Sequence, residues 1–273
     1  MRGLFCWAKF LFLLFTETKL NMDRIIFITG ATSGIGKACA EKFASAGDNL
    51  IINGRRKDRL EELKNKLEKE YSIKVFCAHF DVRQKNEVFD AVNKLPAEWQ
   101  EINVLINNAG LAVGRDLFDE AQLEDWETML QTNINGLLYV SKAVLPFMTK
   151  RNSGHIINIG STAGDDTYQG GNVYCATKSA VEILSRAMRI DLLQHHVKVT
   201  NIKPGAVVTE FSKVRFKGDE EKAARTYEGF EPLTPRDVAE TIFYCASLPA
   251  NVCINELTIT CLNQANGIYT FKK

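Results

Sequence analysis

Seven short, almost unbroken apolar runs recur along the chain, at residues 25–29, 49–53, 74–79, 104–107, 155–159, 198–203 and 256–261. Each gap between them holds a longer stretch whose apolar residues return at helical spacing: 35–46, 59–71, 87–94, 126–151, 174–193 and 237–246. Continuous rather than alternating hydrophobicity means strands buried on both faces. Strand and helix in strict turn predict an α/β fold, a Rossmann-type doubly wound parallel sheet of about seven strands with helices on both faces, in a single domain. Ligands of such a sheet bind beyond the carboxyl ends of the strands. Chemistry is therefore expected in the residues that follow each run.

Composition changes that picture little. The 273 residues are 45% hydrophobic and 25% charged, ample for one core, and no Ser/Pro-rich linker or shift in charge density divides them. A formal charge of +1 argues against a nucleic-acid or acidic-membrane partner and leaves a small-molecule substrate. Seven cysteines, at 6, 39, 77, 175, 245, 253 and 261, are odd in number, widely spaced and without a Cys-x-x-Cys pair. They predict free thiols in a reducing compartment, the cytoplasm. His155, His195 and His196 have no ligand-spaced companions, so no metal is expected. At the start of the chain, Leu4 to Phe15 is apolar except for Lys9, too short to span a membrane and followed by no small-residue cleavage site. Residues 1–21 are read as an extension outside the fold, and 22–273 as the folded domain.

Candidate chemistry sits where the fold class places it. After the first run, Thr29-Gly30-Ala31-Thr32-Ser33-Gly34-Ile35-Gly36 opens a helix. Glycines there let the backbone approach a pyrophosphate, whose charge rests on the exposed N–H groups of the helix start. After the second run comes Asn53-Gly54-Arg55-Arg56, with no acid to accept from a ribose 2′-hydroxyl. Two guanidiniums would instead attract a 2′-phosphate, which predicts NADP(H) as cofactor. Tyr174 and Lys178 would rise from one helical face about a turn apart. An ammonium about 4 Å from the phenol contributes roughly 4 kcal/mol at an effective dielectric of 20. That equals about three pKa units, less a desolvation penalty, and would fit Tyr174 to exchange protons with an alcohol during hydride transfer. Ser161, after the fifth run, can hydrogen-bond the substrate oxygen. Singly, each residue also suits a plain role: a bend, a half-buried aromatic, a solvated lysine, or arginines opening a charged helix.

The Gly-x-x-x-Gly-x-Gly spacing resembles the short-chain dehydrogenase/reductase family. So do Asn107-Asn108-Ala109-Gly110, Ser161, Tyr174-x-x-x-Lys178, Pro204-Gly205 with Thr209, and Asn133 within a helix, all in the family's order. The resemblance implies a catalytic set of Asn133, Ser161, Tyr174 and Lys178, with Lys178 also on the nicotinamide ribose and Asn133 placing a proton-relaying water. It further implies cofactor contacts at Gly30, Ser33, Gly34, Ile35 and Gly36, and at Arg55 and Arg56. Asp81 would meet the adenine, and Val82, Asn108, Ala109, Gly110, Pro204, Gly205, Val207 and Thr209 are further cofactor contacts, as are Tyr174 and Lys178. In relatives the helix through 136–147 and the one bearing Tyr174 pair across two-fold axes, which implies a homotetramer.

Residues 167–174, 214–219, 233–235 and 248–255 are similar to a subgroup of NADP-dependent 3-hydroxy acid dehydrogenases acting on serine, allo-threonine and 3-hydroxypropionate-type acids. A carboxylate substrate needs a cation. Arg215 is the candidate and Lys217 a second one, with Ser161 and Gly171 as further substrate contacts. Two other readings stand beside this one: a reductase of the same family for a bulkier 3-oxoacyl or steroid ketone, and a non-catalytic NADPH-binding regulator.

Overall fold

Strands β1 (Ile25–Ile28), β2 (Asn49–Gly54), β3 (Val75–His79), β4 (Ile102–Asn107), β5 (Gly154–Ile159), β6 (Val197–Pro204) and β7 (Glu256–Ile259) form one sheet in the computed structural model, which describes residues 24–273. All neighbours are parallel, in the order β3-β2-β1-β4-β5-β6-β7. Ile26 pairs with Leu50 and Ile28 with Ile52. Their side chains point to one face, against Cys39, Ala40 and Phe43 of α1 (Gly34–Ser45), Leu60, Leu63 and Leu67 of α2 (Lys57–Tyr71), and Val238 and Ile242 of the last helix. Ile25, Phe27 and Ile51 point to the other face. They meet Val88 and Val92 of α3 (Lys85–Asn93) and, beyond α4 (Leu123–Leu130), Val140, Val144 and Met148 of α5 (Leu137–Arg151). Each large side chain so buried contributes about 1.5–3 kcal/mol, so the uninterrupted apolar runs are what hold both helix layers on.

Strand order reverses between β1 and β4, which opens a cleft over their carboxyl ends. Helix α6 (Asn172–Asp191) borders it. Two short helices that periodicity did not reveal, α7 (Phe211–Arg215) and α8 (Glu220–Arg225), pass over it before α9 (Pro235–Ala246) returns to the sheet. At five and six residues they are too short to display a hydrophobic stripe.

A second difference concerns 126–151, expected as one helix. The chain is instead α4, a π-helical turn over Gln131–Gly136, and α5. The widened turn carries Asn133 inward, buried, and a side-chain period cannot register it because the residues on either side stay helical. Residues 1–21, read as an extension, and Met22, read as the start of the domain, lie outside the described residues. Among the described residues no helix is long and apolar enough to cross a membrane, and Cys39, Cys77, Cys175, Cys245, Cys253 and Cys261 are unpaired.

Candidate active site

The cleft measures about 770 Å³ and runs from the glycine turn to the helices α7 and α8. Its floor is the turn itself. Gly30 (φ 65°) and Gly34 (φ 53°) hold left-handed backbone that other residues resist. A Cβ on Gly36 would collide with the Asn108 amide and the Gly30 carbonyl. Asn108 fastens β4 to the turn: its amide donates to the carbonyls of Thr29 (2.9 Å) and Gly30 (3.2 Å). The Thr29 hydroxyl in turn accepts from the N–H groups of Asn108 and Ala109, each at 3.0 Å. Ser33 precedes α1 without a side-chain cap, so the N–H groups of the first helical turn are left for an anion.

The outer end is cationic. Arg56 donates through Nη2 to the hydroxyls of Thr32 (2.9 Å) and Ser33 (3.1 Å). Through Nη1 it donates to Glu210 (3.1 Å), which also accepts from Arg59 at 3.0 Å. Asn53 closes β2 as a buried structural amide, bonded to the carbonyls of Ala78 and Phe80. None of Asn53, Gly54, Arg55 and Arg56 offers a carboxylate to a 2′-hydroxyl. Cationic and hydroxyl donors do stand there, and they fit a 2′-phosphate. Asp81 reaches the cleft with both oxygens bonded by Arg83, at 3.1, 3.0 and 2.7 Å, and with Arg55 3.9 Å away. These arginines hold its carboxyl below the ordinary range, although burial opposes them.

At the inner end, Tyr174 and Lys178 share one buried face of α6, each 8% exposed. Lys178 donates to the Ile159 carbonyl at 2.7 Å, and its Nζ lies 6.0 Å from the Tyr174 ring centre. The residues converge as expected; the electrostatics do not. Burial, with Tyr168 adding to it, pushes the Tyr174 phenol well above its ordinary value, against opposing pulls from Ser161 and Arg215. Burial also draws Lys178 down to about 8. The sequence-based reading subtracted a desolvation penalty but left the ammonium the larger effect; with both groups buried, desolvation wins. Ser161 caps the short turn Thr162–Gly164, accepting from the Ala163 N–H at 3.1 Å. A Cβ on Gly164 would press on the Lys178 backbone at 2.9 Å, so that turn packs directly on α6. Asn133 donates to the Leu111 carbonyl (2.8 Å) and the Thr177 hydroxyl (3.0 Å), and accepts from the Leu111 N–H (2.9 Å).

Arg215, at the end of α7, closes the inner end. Its guanidinium carbon lies 5.5 Å from the Tyr174 ring centre and 5.2 Å from that of Tyr168, and Nη1 donates to the Tyr168 hydroxyl at 2.9 Å. Nε and Nη2 are buried and have no hydrogen-bond partner among the described residues. Phe211 packs on Tyr174 with ring centres 5.7 Å apart. Lys217, the second candidate for a substrate carboxylate, is instead paired with Asp125 at 2.7 Å. Gly171 lies where a Cβ would meet the Tyr168 ring at 2.8 Å; it shapes that ring's seat. Sequence reasoning missed Tyr168, Arg59, Glu210 and Phe211. Only Arg59 left a signal, as a third arginine close behind Arg55 and Arg56.

The sequence profile described as short chain dehydrogenase matches residues 24–220. The NADP-dependent 3-hydroxy acid dehydrogenase YdfG of Salmonella typhi is 49% identical over 242 residues, 88% of this chain and 96% of that protein. The NADP-dependent 3-hydroxy acid dehydrogenase of Schizosaccharomyces pombe is 39% identical over 92% of this chain and 97% of its own. Among solved structures, the closed form of serine dehydrogenase complexed with NADP+ matches with a TM-score of 0.86 at 46% identity, over 91% of this chain and 99% of that one.

Proposed function

The chain belongs to the short-chain dehydrogenase family, and on that premise we propose that it is an NADP-dependent oxidoreductase of small 3-hydroxy acids and their semialdehydes, of the serine, allo-threonine and 3-hydroxypropionate type. One observation carries the choice of an acidic substrate: the unpartnered Nε and Nη2 of Arg215 beside Tyr174. Buried donors without acceptors are costly. Those two N–H groups form one edge of the guanidinium, the geometry that takes a carboxylate through two parallel bonds. Tyr168, on Nη1, keeps that edge turned away from itself.

In this reading Gly30, Ser33, Gly34, Ile35 and Gly36 would hold the pyrophosphate and Arg55 and Arg56 the 2′-phosphate. Asp81, Val82, Asn108, Ala109, Gly110, Pro204, Gly205, Val207 and Thr209 would hold the rest of the cofactor, Asp81 at the adenine. Bound NADP supplies the hydride acceptor or donor and, when oxidised, a positive charge beside the phenol. In reduction Tyr174 gives its proton to the oxygen as the carbonyl becomes an alkoxide; in oxidation it takes the hydroxyl proton. Its raised pKa leaves it protonated at neutral pH, ready for the reductive direction. Ser161 donates to the substrate oxygen where charge develops. Lys178, bonded by a single carbonyl among the described residues, has donors left for ribose hydroxyls, and Asn133 would place a water that returns protons to it, the role the family resemblance implies.

The chain is further proposed to act as a homotetramer in the cytoplasm, with 22–273 as one domain and 1–21 outside it. Support for association comes from the outer face of α6, where Ile183 and Ile190, two turns apart, are 59% and 71% exposed. The unpaired cysteines support a reducing compartment. The test is loss of NADPH absorbance with malonate semialdehyde and gain with serine or 3-hydroxypropionate, beside a long-chain 3-oxoacyl ketone. Turnover of the acids is expected; turnover of the long ketone with the acids inert would overturn the reading.

A further inference from the structure

Glu210 stands one residue before α7, and its two oxygens take two different guanidiniums, Oε2 from Arg56 at 3.1 Å and Oε1 from Arg59 at 3.0 Å. Both arginines come from the start of α2, more than 150 residues away in the chain. Arg56 meanwhile keeps its other nitrogen on Thr32 and Ser33 of the glycine turn. An anion thus already sits on Arg56, one of the two arginines that the preceding reading gives to the cofactor 2′-phosphate.

We propose that Glu210 is a built-in competitor of the 2′-phosphate: it holds Arg56 and Arg59 while the site lacks phosphate and is displaced when one binds. This rests on NADP as cofactor. The physical reason is charge. Two cations facing one carboxylate carry a surplus of one positive charge, whereas a phosphate monoester near neutral pH brings nearly two negative charges and three acceptor oxygens. The dianion takes Arg56 and both hydroxyls, and the carboxylate, repelled, gives up its place. A cofactor without the 2′-phosphate has nothing to offer Arg56 that Glu210 does not, and leaves the pair intact.

Three exposures bound the size of the effect. The side chains of Arg56, Arg59 and Glu210 are 43%, 46% and 48% exposed, so solvent screens the contact and the competition is modest. The consequence is a lowered affinity for NADP(H), with faster release, at no cost to the bonds that hold the pyrophosphate. Because α7 also carries Phe211 against Tyr174 and ends in Arg215, displacement of Glu210 frees the near end of the same helix whose far end faces the substrate.

The experiment is calorimetric binding of adenosine 2′,5′-bisphosphate and of 5′-AMP to the wild-type chain, Glu210→Gln and Arg56→Gln, at low and high salt. Glu210→Gln is expected to bind the bisphosphate roughly threefold to tenfold more tightly. Its affinity for 5′-AMP should stay within twofold, and the gain should shrink at high salt. Unchanged or weaker bisphosphate binding by Glu210→Gln, with Arg56→Gln strongly impaired, would overturn the competitor role alone. Undiminished binding by Arg56→Gln would overturn the phosphate site itself, and with it the choice of NADP.

Discussion

At the inner end of the cleft Tyr174, Lys178 and one edge of Arg215 are buried, and the edge has donors that no described residue accepts from. At the outer end Arg56, Arg59 and Glu210 are nearly half exposed, and both arginines are paired with the one carboxylate. Burial multiplies electrostatic effects and solvent divides them. The inner end is therefore expected to decide whether reaction occurs and on what class of substrate, and the outer end to tune how firmly a cofactor is held.

The sharpest separation of the two ends comes from Tyr174→Phe. Loss of the proton carrier should lower kcat by roughly 10²–10⁴-fold, while NADPH affinity, read by fluorescence titration, stays within about threefold. An equal loss of both would mean that the ring organises the cleft instead of moving a proton. Titration is the next largest handle. Lys178, drawn down by burial to about 8, is charged below that pH and neutral above it. The phenol, pushed up, keeps its proton through the same window. The reductive kcat/KM should be level below pH 8 and fall about tenfold per unit above it; a level profile to pH 10 would place Lys178 outside the rate.

Changes at the outer end should be smaller and should fade with salt. Arg56→Ala is expected to raise the KM for NADPH roughly tenfold at low ionic strength, by loss of a charge-assisted contact. That of NADH should move little. A loss of the same size in kcat with either cofactor would erase the contrast between the two ends. The smallest effect is assigned to Tyr168→Phe, which removes only the bond to Arg215 Nη1. A net hydrogen bond is worth about 0.5–1.5 kcal/mol, hence roughly threefold to tenfold in KM for a 3-hydroxy acid with kcat preserved.

The same contrast separates what was legible in the sequence from what was not. Local patterns carried the sheet, the glycine turn and the spacing of Tyr174 and Lys178, because period and motif are properties of consecutive residues. Asn133 could be located, but not the π turn that carries it inward, since that turn is six residues long, too short to display a period of its own between two helical flanks. The sign of the Tyr174 shift depended on how deeply both partners are buried, a property of the packed chain. Lys217 lost its candidacy to Asp125, 92 residues earlier, and Glu210 gained a role from arginines at the start of α2. Side-chain partnerships across such separations leave no mark in a single sequence.

The most direct test of the inner end is the ratio of kcat/KM for 3-hydroxypropionate to that for propan-1-ol, measured in the wild-type chain and in Arg215→Ala. The expected result is a ratio that falls roughly 10- to 100-fold in the variant, through KM for the acid, with the alcohol nearly unaffected. A ratio that stays constant, or an equal loss on both substrates, would contradict the assignment of Arg215 to the substrate carboxylate.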